Sequence, residues 1–252
     1  MTKIIFFYKI NYSILVLIAL LTGFNAYSQV LPGVYTDTIE ENGTRSIHQI
    51  KLNNDYFIYN EYENNPAKFT KTMGGFTQIE STATGNLLVV LLEFNSDYPK
   101  DSIRQLSIPI KMVGENLHLN WFQELMLKPV KIETQDLDGE WLFATRGPDT
   151  GQERRGEEST RKTLKFLKDG TFQWIAYDTD SFRFSGTGGG SYTAKDGVYT
   201  EKIEFFSKDD TRVGAQLKFN YELQGNDWHH TGNNSKGEPM YEIWSKRQET
   251  KE

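Results

Sequence analysis

The sequence contains no cysteine, only four histidines and only seven prolines among its 252 residues. Without cysteine, the protein can form neither a disulfide nor a thiolate metal site, and it lacks the cysteine that starts a lipoprotein. A membrane-spanning helix needs roughly 20 apolar residues, and Lys9 and Asn11 interrupt the one candidate segment. These absences exclude a disulfide-stabilised mini-protein and a polytopic membrane protein.

What the sequence does contain points to a globular β protein. Aromatic residues make up 13% of the chain, hydrophobic residues 37% and charged residues 25%, with 21 glycines. This balance excludes a disordered tail, and the aromatic content favours strands over helical bundles. The formal charge is −6 and no basic stretch is present, which argues against a nucleic-acid partner.

The first 28 residues have the three parts of a secretory signal peptide. Lys3 and Lys9 form a positive start, residues 14–21 are uninterruptedly apolar, and Ala26-Tyr27-Ser28 is a small-x-small cleavage site. We therefore predict cleavage after Ser28 and a secreted or periplasmic protein that does not span a membrane.

The remainder of the sequence is an internal repeat. An offset of 111 residues aligns Glu93-Phe94 with Glu204-Phe205, Gln105-Leu106 with Gln216-Leu217, and His118 with His229. With small register shifts, the alignment also places Ile50-Lys51 opposite Leu164-Lys165, Thr72 to Gly75 opposite Thr187 to Gly190, and Glu124-Leu125 opposite Glu242-Ile243. Two copies of one unit follow, copy 1 at residues 29–133 and copy 2 at residues 134–252, each of ordinary domain size.

Each copy has the pattern of antiparallel β structure. Apolar residues alternate with polar ones from Val213 to Leu223, the period of a strand with one buried face. Asp169-Gly170 and Asp196-Gly197 are hairpin turn signals between apolar runs. The prediction is an all-β protein of two tandem small antiparallel β-barrels.

Copy 2 resembles a lipocalin-like (calycin) barrel. Gly139-x-Trp141 precedes its first strand, and the closing strand Tyr241 to Trp244 is followed by Lys246-Arg247. In lipocalins a Gly-x-Trp motif opens the barrel and a basic residue near the last strand packs over the tryptophan. The resemblance therefore implies a cation–π contact between Trp141 and Lys246 or Arg247. Copy 1 departs from the motif with Tyr35. The chain is also similar to secreted bacterial lipocalin-like domains of unknown function.

Differences between the copies indicate a candidate site in copy 2. Glu201 aligns with Val90, and His230 aligns with Leu119, on rows that we expect to face inward. A buried carboxylate is costly unless paired, and a ligand cavity is one reason to keep one. The predicted ligand-binding residues share an inward, aromatic or polar character: Glu201, His230, Trp174, Tyr199, Tyr221 and Trp228. The alternative is that Glu201 and His230 lie at a barrel rim.

Three functions remain open on these residues. The first is binding of a small hydrophobic or amphipathic ligand in copy 2, with copy 1 mainly structural or a dry barrel. The second is a non-catalytic extracellular module that binds carbohydrate or protein through surface aromatics. The third is a small isomerase or hydrolase that uses Glu201 and His230 as an acid/base pair. No nucleophile elbow or zinc-helix motif is present, so we predict neither catalytic residues nor a cofactor.

Three further features have competing interpretations. His229 and His230 point to opposite faces of a strand, so they are expected not to share a metal ion, and His229 is predicted to make an outward structural hydrogen bond. The run Gly186 to Gly190 lies between strands and favours a bulge over a phosphate loop. The charged segment Arg146 to Arg161 is longer than its counterpart and is either a solvated loop or a lid over the barrel mouth.

Overall fold

The computed structural model describes residues 30–83, 85–131, 133–234 and 236–247. The predicted signal peptide at residues 1–28 lies outside the described residues. Among the residues that the structure does describe, none of the helices combines the length and hydrophobicity needed to cross a membrane.

Barrel 1 is a closed, eight-stranded antiparallel barrel in which each strand pairs with the next along the chain. Its strands are β1 (Gly33–Glu41), β2 (Thr44–Leu52), β3 (Tyr56–Asn64), β4 (Ala67–Thr82), β5 (Gly85–Asn95), β6 (Gln105–Val113), β7 (Asn116–Asn120) and β8 (Glu124–Pro129). The short helix α1 (Tyr98–Asp101) connects β5 to β6. Pairing of Tyr35 with Pro129 and of Thr36 with Lys128 closes the barrel.

Barrel 2 repeats this topology with eight further strands. They are β9 (Gly139–Arg146), β10 (Arg161–Lys168), β11 (Thr171–Asp178), β12 (Arg183–Lys195), β13 (Val198–Phe206), β14 (Gln216–Gln224), β15 (Asp227–Asn233) and β16 (Pro239–Lys246). A 3₁₀ turn (Asp210–Arg212) connects β13 to β14, and β16 pairs with β9 to close the barrel. The prediction of two tandem all-β barrels is confirmed.

The hairpin turns follow the sequence signals. Asp169 and Gly170 have φ of 49° and 70°, and Asp196 and Gly197 have φ of 52° and 78°. Two successive residues with positive φ match the right-handed twist of the paired strands, and Asp-Gly tolerates this conformation well. These turns fix the register between β10 and β11 and between β12 and β13.

The glycine runs form bulges at a strongly bent point of each barrel. The register between paired strands shifts between Gly74 and Gly75 in barrel 1 and between Gly189 and Gly190 in barrel 2. A Cβ atom on Gly75 would lie 2.0 Å from the carbonyl oxygen of Leu91, so no side chain fits there. The bulge interpretation of Gly186 to Gly190 is confirmed, since the run lies inside the continuous strand β12 and the register with β13 shifts within it.

The two barrels share a third apolar core on their facing walls. It consists of Tyr56, Ile58 and Phe94 from barrel 1 and Leu142, Leu164, Phe166, Ile175 and Tyr177 from barrel 2. Glu93 is buried at this interface and accepts hydrogen bonds from the Tyr56 hydroxyl at 2.8 Å and the Tyr177 hydroxyl at 2.9 Å. It also pairs with Lys162 at 3.0 Å and Arg247 at 2.9 Å.

The basic pair after β16 divides between the two barrels. The Nζ atom of Lys246 lies 6.0 Å from the ring centroid of Trp141, at the outer limit of a cation–π contact. Arg247 instead crosses to barrel 1, where its guanidinium lies 4.6 Å from the Tyr56 ring and 4.5 Å from the Phe76 ring. Lys246 therefore contacts the first strand of barrel 2, whereas Arg247 contributes to the interface between the barrels.

Candidate functional site

A cavity of about 390 Å³ occupies one end of barrel 2. Apolar and aromatic side chains form most of its wall, namely Trp174, Ile203, Phe206, Ala215, Leu217, Phe219, Met240 and Trp244. Eight polar or charged side chains also line it, namely Lys165, Glu201, His230, Glu242, Thr163, Asp209, Arg212 and Asn234. Most small-molecule sites combine an apolar wall with a few convergent polar groups in this way.

Glu201 points into the barrel from β13, and its carboxylate accepts hydrogen bonds from two neighbouring side chains. Its Oε1 atom accepts a hydrogen bond from the Tyr199 hydroxyl at 2.8 Å and one from the Lys165 Nζ atom at 2.9 Å. Glu201 and Lys165 are each only 5% exposed. Their ion pair is therefore almost completely buried at the cavity wall, where removal of either partner would leave a costly isolated charge.

Lys165 is also surrounded by aromatic faces. Its ammonium group lies 5.1 Å from the ring centroid of Tyr199, 4.9 Å from that of Trp228 and 5.0 Å from that of Trp244. The negative faces of aromatic rings attract a cation at these distances. Lys165 thus lies among three aromatic rings at the wall of the cavity.

His230 projects from β15 into the same region and is 2% exposed. Its ring packs edge-to-face on Phe219 at 4.4 Å and tilted against Trp228 at 4.9 Å. No group in the described part of the chain forms a hydrogen bond with either ring nitrogen. Burial, and then the neighbouring Lys165 charge, lower the pKa of His230 below its usual value, so the ring is neutral at pH 7.

Glu242 on β16 is the nearest carboxylate to His230. Its Oε2 atom lies 3.8 Å from the His230 Nδ1 atom, beyond hydrogen-bond distance, and accepts a bond from the Trp244 Nε1 atom at 3.1 Å. Burial by itself would raise the pKa of Glu242, but its net shift is downward, to which the Lys165 charge and the Trp244 hydrogen bond contribute. Glu242 is therefore an ionised acceptor at the cavity wall.

The remaining predicted site residues differ in where they lie. Trp174 lines the cavity and packs edge-to-face on Phe206 at 5.6 Å. Tyr199 and Trp228 are fully buried and pack against each other at 5.1 Å, forming the floor below Lys165 rather than the cavity wall.

Tyr221, like Tyr199 and Trp228, does not line the cavity. Its hydroxyl donates a hydrogen bond to Asp136 outside the barrel. The alternation of β14 correctly places Tyr221 on the row of Leu217 and Phe219, but alternation carries no information on depth along the barrel axis. Tyr221 is therefore outside the lining of this cavity, and its role in ligand binding stays a prediction.

Lys165 and Glu242 are the site residues that the sequence alignment missed. Tyr35 pairs with Ile50 in barrel 1 and Trp141 pairs with Lys165 in barrel 2, so Lys165 corresponds to Ile50 rather than Lys51. By the same logic, Leu119 pairs with Leu125 and His230 with Glu242, so Glu242 corresponds to Leu125. The sequence alignment was shifted by one residue at both positions, so it assigned both side chains to the outer face of the barrel. Barrel 2 therefore replaces four inward apolar residues by four polar ones.

The segment between β9 and β10 borders this site from the side. Residues including Arg146, Glu153 and Arg155 line a second opening of about 690 Å³, which shares Thr163, Glu242 and Trp244 with the cavity. The backbone N–H of Arg155 donates to the Ala144 carbonyl at 2.8 Å, and its guanidinium lies 4.4 Å from the Phe143 ring. The segment is thus attached to the barrel wall beside the cavity rather than extended in solvent.

The other histidine of copy 2 has a structural role. The Nδ1 atom of His229 lies 2.7 Å from the Tyr241 hydroxyl on the neighbouring strand, which confirms the predicted outward hydrogen bond. Within the described ranges, no cluster of three or more histidine, aspartate or glutamate residues is arranged to hold a metal ion.

Barrel 1 also has an open end. A cavity of about 370 Å³ lies there, lined by His48, Tyr59, Glu61, Lys71, Trp121 and Phe122 among others. The four positions equivalent to the polar groups of barrel 2 are apolar, at Ile50, Val90, Leu119 and Leu125. Copy 1 thus has an apolar inner core together with a polar cavity at its open end, and its expected role as mainly structural or a dry barrel stays a prediction.

Comparison with known proteins adds a family match for one half of the chain. Residues 136–252, which include barrel 2, match a family described as a domain of unknown function (DUF4488). No curated protein matches the chain.

Proposed function

We propose that the chain is an exported, lipocalin-like binding protein that holds a small hydrophobic or amphipathic ligand in barrel 2. The observation that carries the proposal is His230, a buried imidazole without a hydrogen-bond partner in the described chain, at the wall of an aromatic cavity. A buried polar group without a partner costs about 1–3 kcal/mol, which a ligand would recover on binding.

The lining indicates the chemistry of the ligand. Trp174, Phe206 and Met240 offer apolar surface toward the mouth, whereas His230 and Glu242 lie together on one side. A neutral imidazole offers one donor and one acceptor, and an ionised carboxylate offers acceptors. A ligand with an apolar body and one hydroxyl or amide group would satisfy one nitrogen of His230, and a second polar group on the ligand would be needed for the other.

The lipocalin-like assignment and the export are part of the same proposal. Support for the first comes from two closed eight-stranded up-and-down barrels and from the Gly139-x-Trp141 start beside Lys246. Support for export comes from the signal pattern at residues 1–28. N-terminal sequencing of the protein from its own host, with Gln29 as the expected first residue, tests the export.

The enzymatic alternative has less support in the geometry. The Oε1 atom of Glu201 already accepts bonds from Lys165 and Tyr199, and the carboxylate nearest His230 is that of Glu242. The postulated Glu201–His230 acid/base pair would need a direct contact or a bridging group.

Fluorescence titration with N-phenyl-1-naphthylamine tests the binding proposal. The probe should brighten on the native protein, and Ala215→Trp, which fills the cavity, should abolish the effect. Val113→Trp, on the exposed surface of barrel 1, is the matched control and should leave probe binding unchanged. No brightening, or equal brightening of both variants, would contradict a ligand cavity in barrel 2.

Competition then tests the role of His230. We expect 1-decanol to displace the probe more effectively than decane, and His230→Leu to weaken displacement by decanol about tenfold, the effect of roughly one lost hydrogen bond. Displacement by decane should not change. If His230→Leu affects the two competitors equally, His230 shapes the cavity but does not recognise a polar group.

A further inference from the structure

The open end of barrel 1 contains a connected chain of polar side chains above the apolar core. The Tyr59 hydroxyl donates to Glu61 at 2.9 Å and lies 2.8 Å from the Nδ1 atom of His48. The single proton of the Tyr59 hydroxyl is used in the bond to Glu61, so the Nδ1–H group of His48 must donate to Tyr59. The Nε2 atom of His48 then accepts a hydrogen bond from the Gln123 side-chain amide at 3.3 Å.

These bonds hold the site in one arrangement before any ligand arrives. His48 is 3% exposed and Tyr59 is 2% exposed, so both side chains are fixed by packing as well as by hydrogen bonds. Burial lowers the pKa of His48 more strongly than the nearby Glu61 raises it, so the imidazole is neutral at pH 7. A preorganised polar wall reduces the entropy that a ligand loses on binding.

The Glu61 carboxylate in this cavity is compensated by a lysine, and Glu41 adds an exposed carboxylate to the lining. The Nζ atom of Lys71 lies 3.3 Å from the Oε2 atom of Glu61 and 4.4 Å from the ring centroid of Phe122. An external cation would compete with Lys71 for both the carboxylate and the aromatic face. An external anion would have to displace Glu61 from Lys71. The cavity therefore suits a neutral ligand.

Aromatic surface lies beside these polar groups. Trp121 stacks on Phe122 at 4.1 Å and packs edge-to-face on Tyr59 at 5.1 Å. Phe122 is 55% exposed at the rim, an unusual position for a large apolar side chain on the surface. The rim opposite adds the small polar side chains of Asn42, Thr44 and Ser46.

We propose that the open end of barrel 1 binds a neutral carbohydrate, at a site separate from the ligand cavity of barrel 2. A sugar presents hydroxyl groups that donate and accept at the same time, and the side chains of Gln123, Asn42 and Glu61 provide both kinds of partner. It also presents C–H faces that pack on aromatic rings such as Phe122 and Trp121. A cavity of about 370 Å³ is within the size range of small-molecule sites.

Saturation-transfer difference NMR tests this site with glucose, galactose, N-acetylglucosamine and cellobiose, each with the full protein. We expect transfer to at least one sugar, with a dissociation constant in the millimolar range or tighter. Phe122→Ala and Gln123→Ala alter exposed side chains, and each should weaken that binding about tenfold.

Two control variants locate the signal. Leu91→Ala, an equally exposed residue on the outer face of barrel 1, and Ala215→Trp in barrel 2 should both leave sugar binding unchanged. The proposal is overturned if none of the four sugars shows transfer, or if Phe122→Ala binds as the native protein does. It is also overturned if Ala215→Trp removes the signal, or if tetramethylammonium binds at this end and the sugars do not.

Discussion

The Nζ atom of Lys165 lies 2.9 Å from the Oε1 atom of Glu201 in the interior of barrel 2, with both side chains almost completely buried. At the corresponding positions, barrel 1 has Ile50 and Val90. The same fold thus accommodates either an ion pair or two aliphatic side chains at this level, and stability alone does not require the charges.

Lys165→Ile alone should destabilise the protein by about 3–5 kcal/mol, because it leaves the Glu201 carboxylate buried without its cation. Adding Glu201→Val should recover most of that loss, since the double variant reproduces the pair found in barrel 1. Urea unfolding followed by tryptophan fluorescence measures both values. Lys202→Ile, at an exposed lysine of β13, is the control and should change stability by less than about 0.5 kcal/mol. Additive effects of the two changes would show that Lys165 and Glu201 do not interact.

His230 should make the protein less stable as the pH falls. Its pKa is lowered by burial and by Lys165, so below the usual value near 6.5 the unfolded chain takes up a proton that the folded protein does not. The free energy of unfolding should therefore decrease from about pH 6.5 downward, by up to about 1.4 kcal/mol per pH unit. In His230→Leu this contribution disappears. Parallel pH profiles of the two proteins between pH 5 and 8 would contradict a neutral, buried imidazole.

Glu140 should have the opposite effect over a similar range. Burial raises the pKa of Glu140 to about 7, despite a 2.7 Å hydrogen bond from Asn53. Between its unfolded pKa and about pH 7 the folded protein binds the extra proton, so the contribution of Glu140 to stability grows as the pH falls. We expect Glu140→Gln to lose this contribution, with a slope change of up to about 1.4 kcal/mol per pH unit. The quantity to measure is the stability difference from the native protein at pH 5, 6, 7 and 8, and a difference independent of pH would contradict the assignment.

Gly75→Ala should destabilise barrel 1 by about 1–3 kcal/mol or more, because its new methyl group would meet the backbone of Leu91. Backbone atoms cannot move aside as a flexible side chain can. Gly156→Ala is the matched control, since a Cβ atom at that position meets nothing within 4 Å. Thermal unfolding of the two variants separates local crowding from the general effect of replacing glycine, and an equal melting temperature would show that the bulge relaxes.

Much of the fold follows from local patterns. The period-two alternation of β14 and the Asp-Gly turns predict strands and hairpins, and the two copies together predict two barrels. The inward positions of Glu201 and His230 were also predictable, because the ungapped part of the repeat places them opposite Val90 and Leu119.

Comparison of the two copies did not predict the other two polar residues of the candidate site. Lys165 and Glu242 lie where the copies differ in loop length, and a shift of one residue exchanges the inner and outer faces of a strand. Only strand pairing, such as that of Trp141 with Lys165, resolves the register. The depth of a residue along the barrel axis is a separate unknown, and it explains why Tyr221 does not line the cavity although it lies on the inward row.

One part of the interface between the barrels could have been predicted from a break in the polar–apolar alternation. Tyr56, Phe57, Ile58 and Tyr59 form a continuous aromatic and apolar run, and all four are buried. Such a run indicates a strand covered on both faces, one by the barrel core and the other by a second layer. The identity of that second layer depends on tertiary contacts that no local pattern encodes.

The shared core has a practical consequence for anyone who wishes to shorten this protein. In a fragment containing only residues 136–252, Phe166 and Tyr177 would be exposed, because Tyr56 and Phe94 would no longer cover them. Arg247 and Lys162 would also lose their ion-pair partner Glu93. We expect that fragment to precipitate or self-associate, although it holds a complete set of eight strands. Work on barrel 2 should therefore use the pair of barrels together.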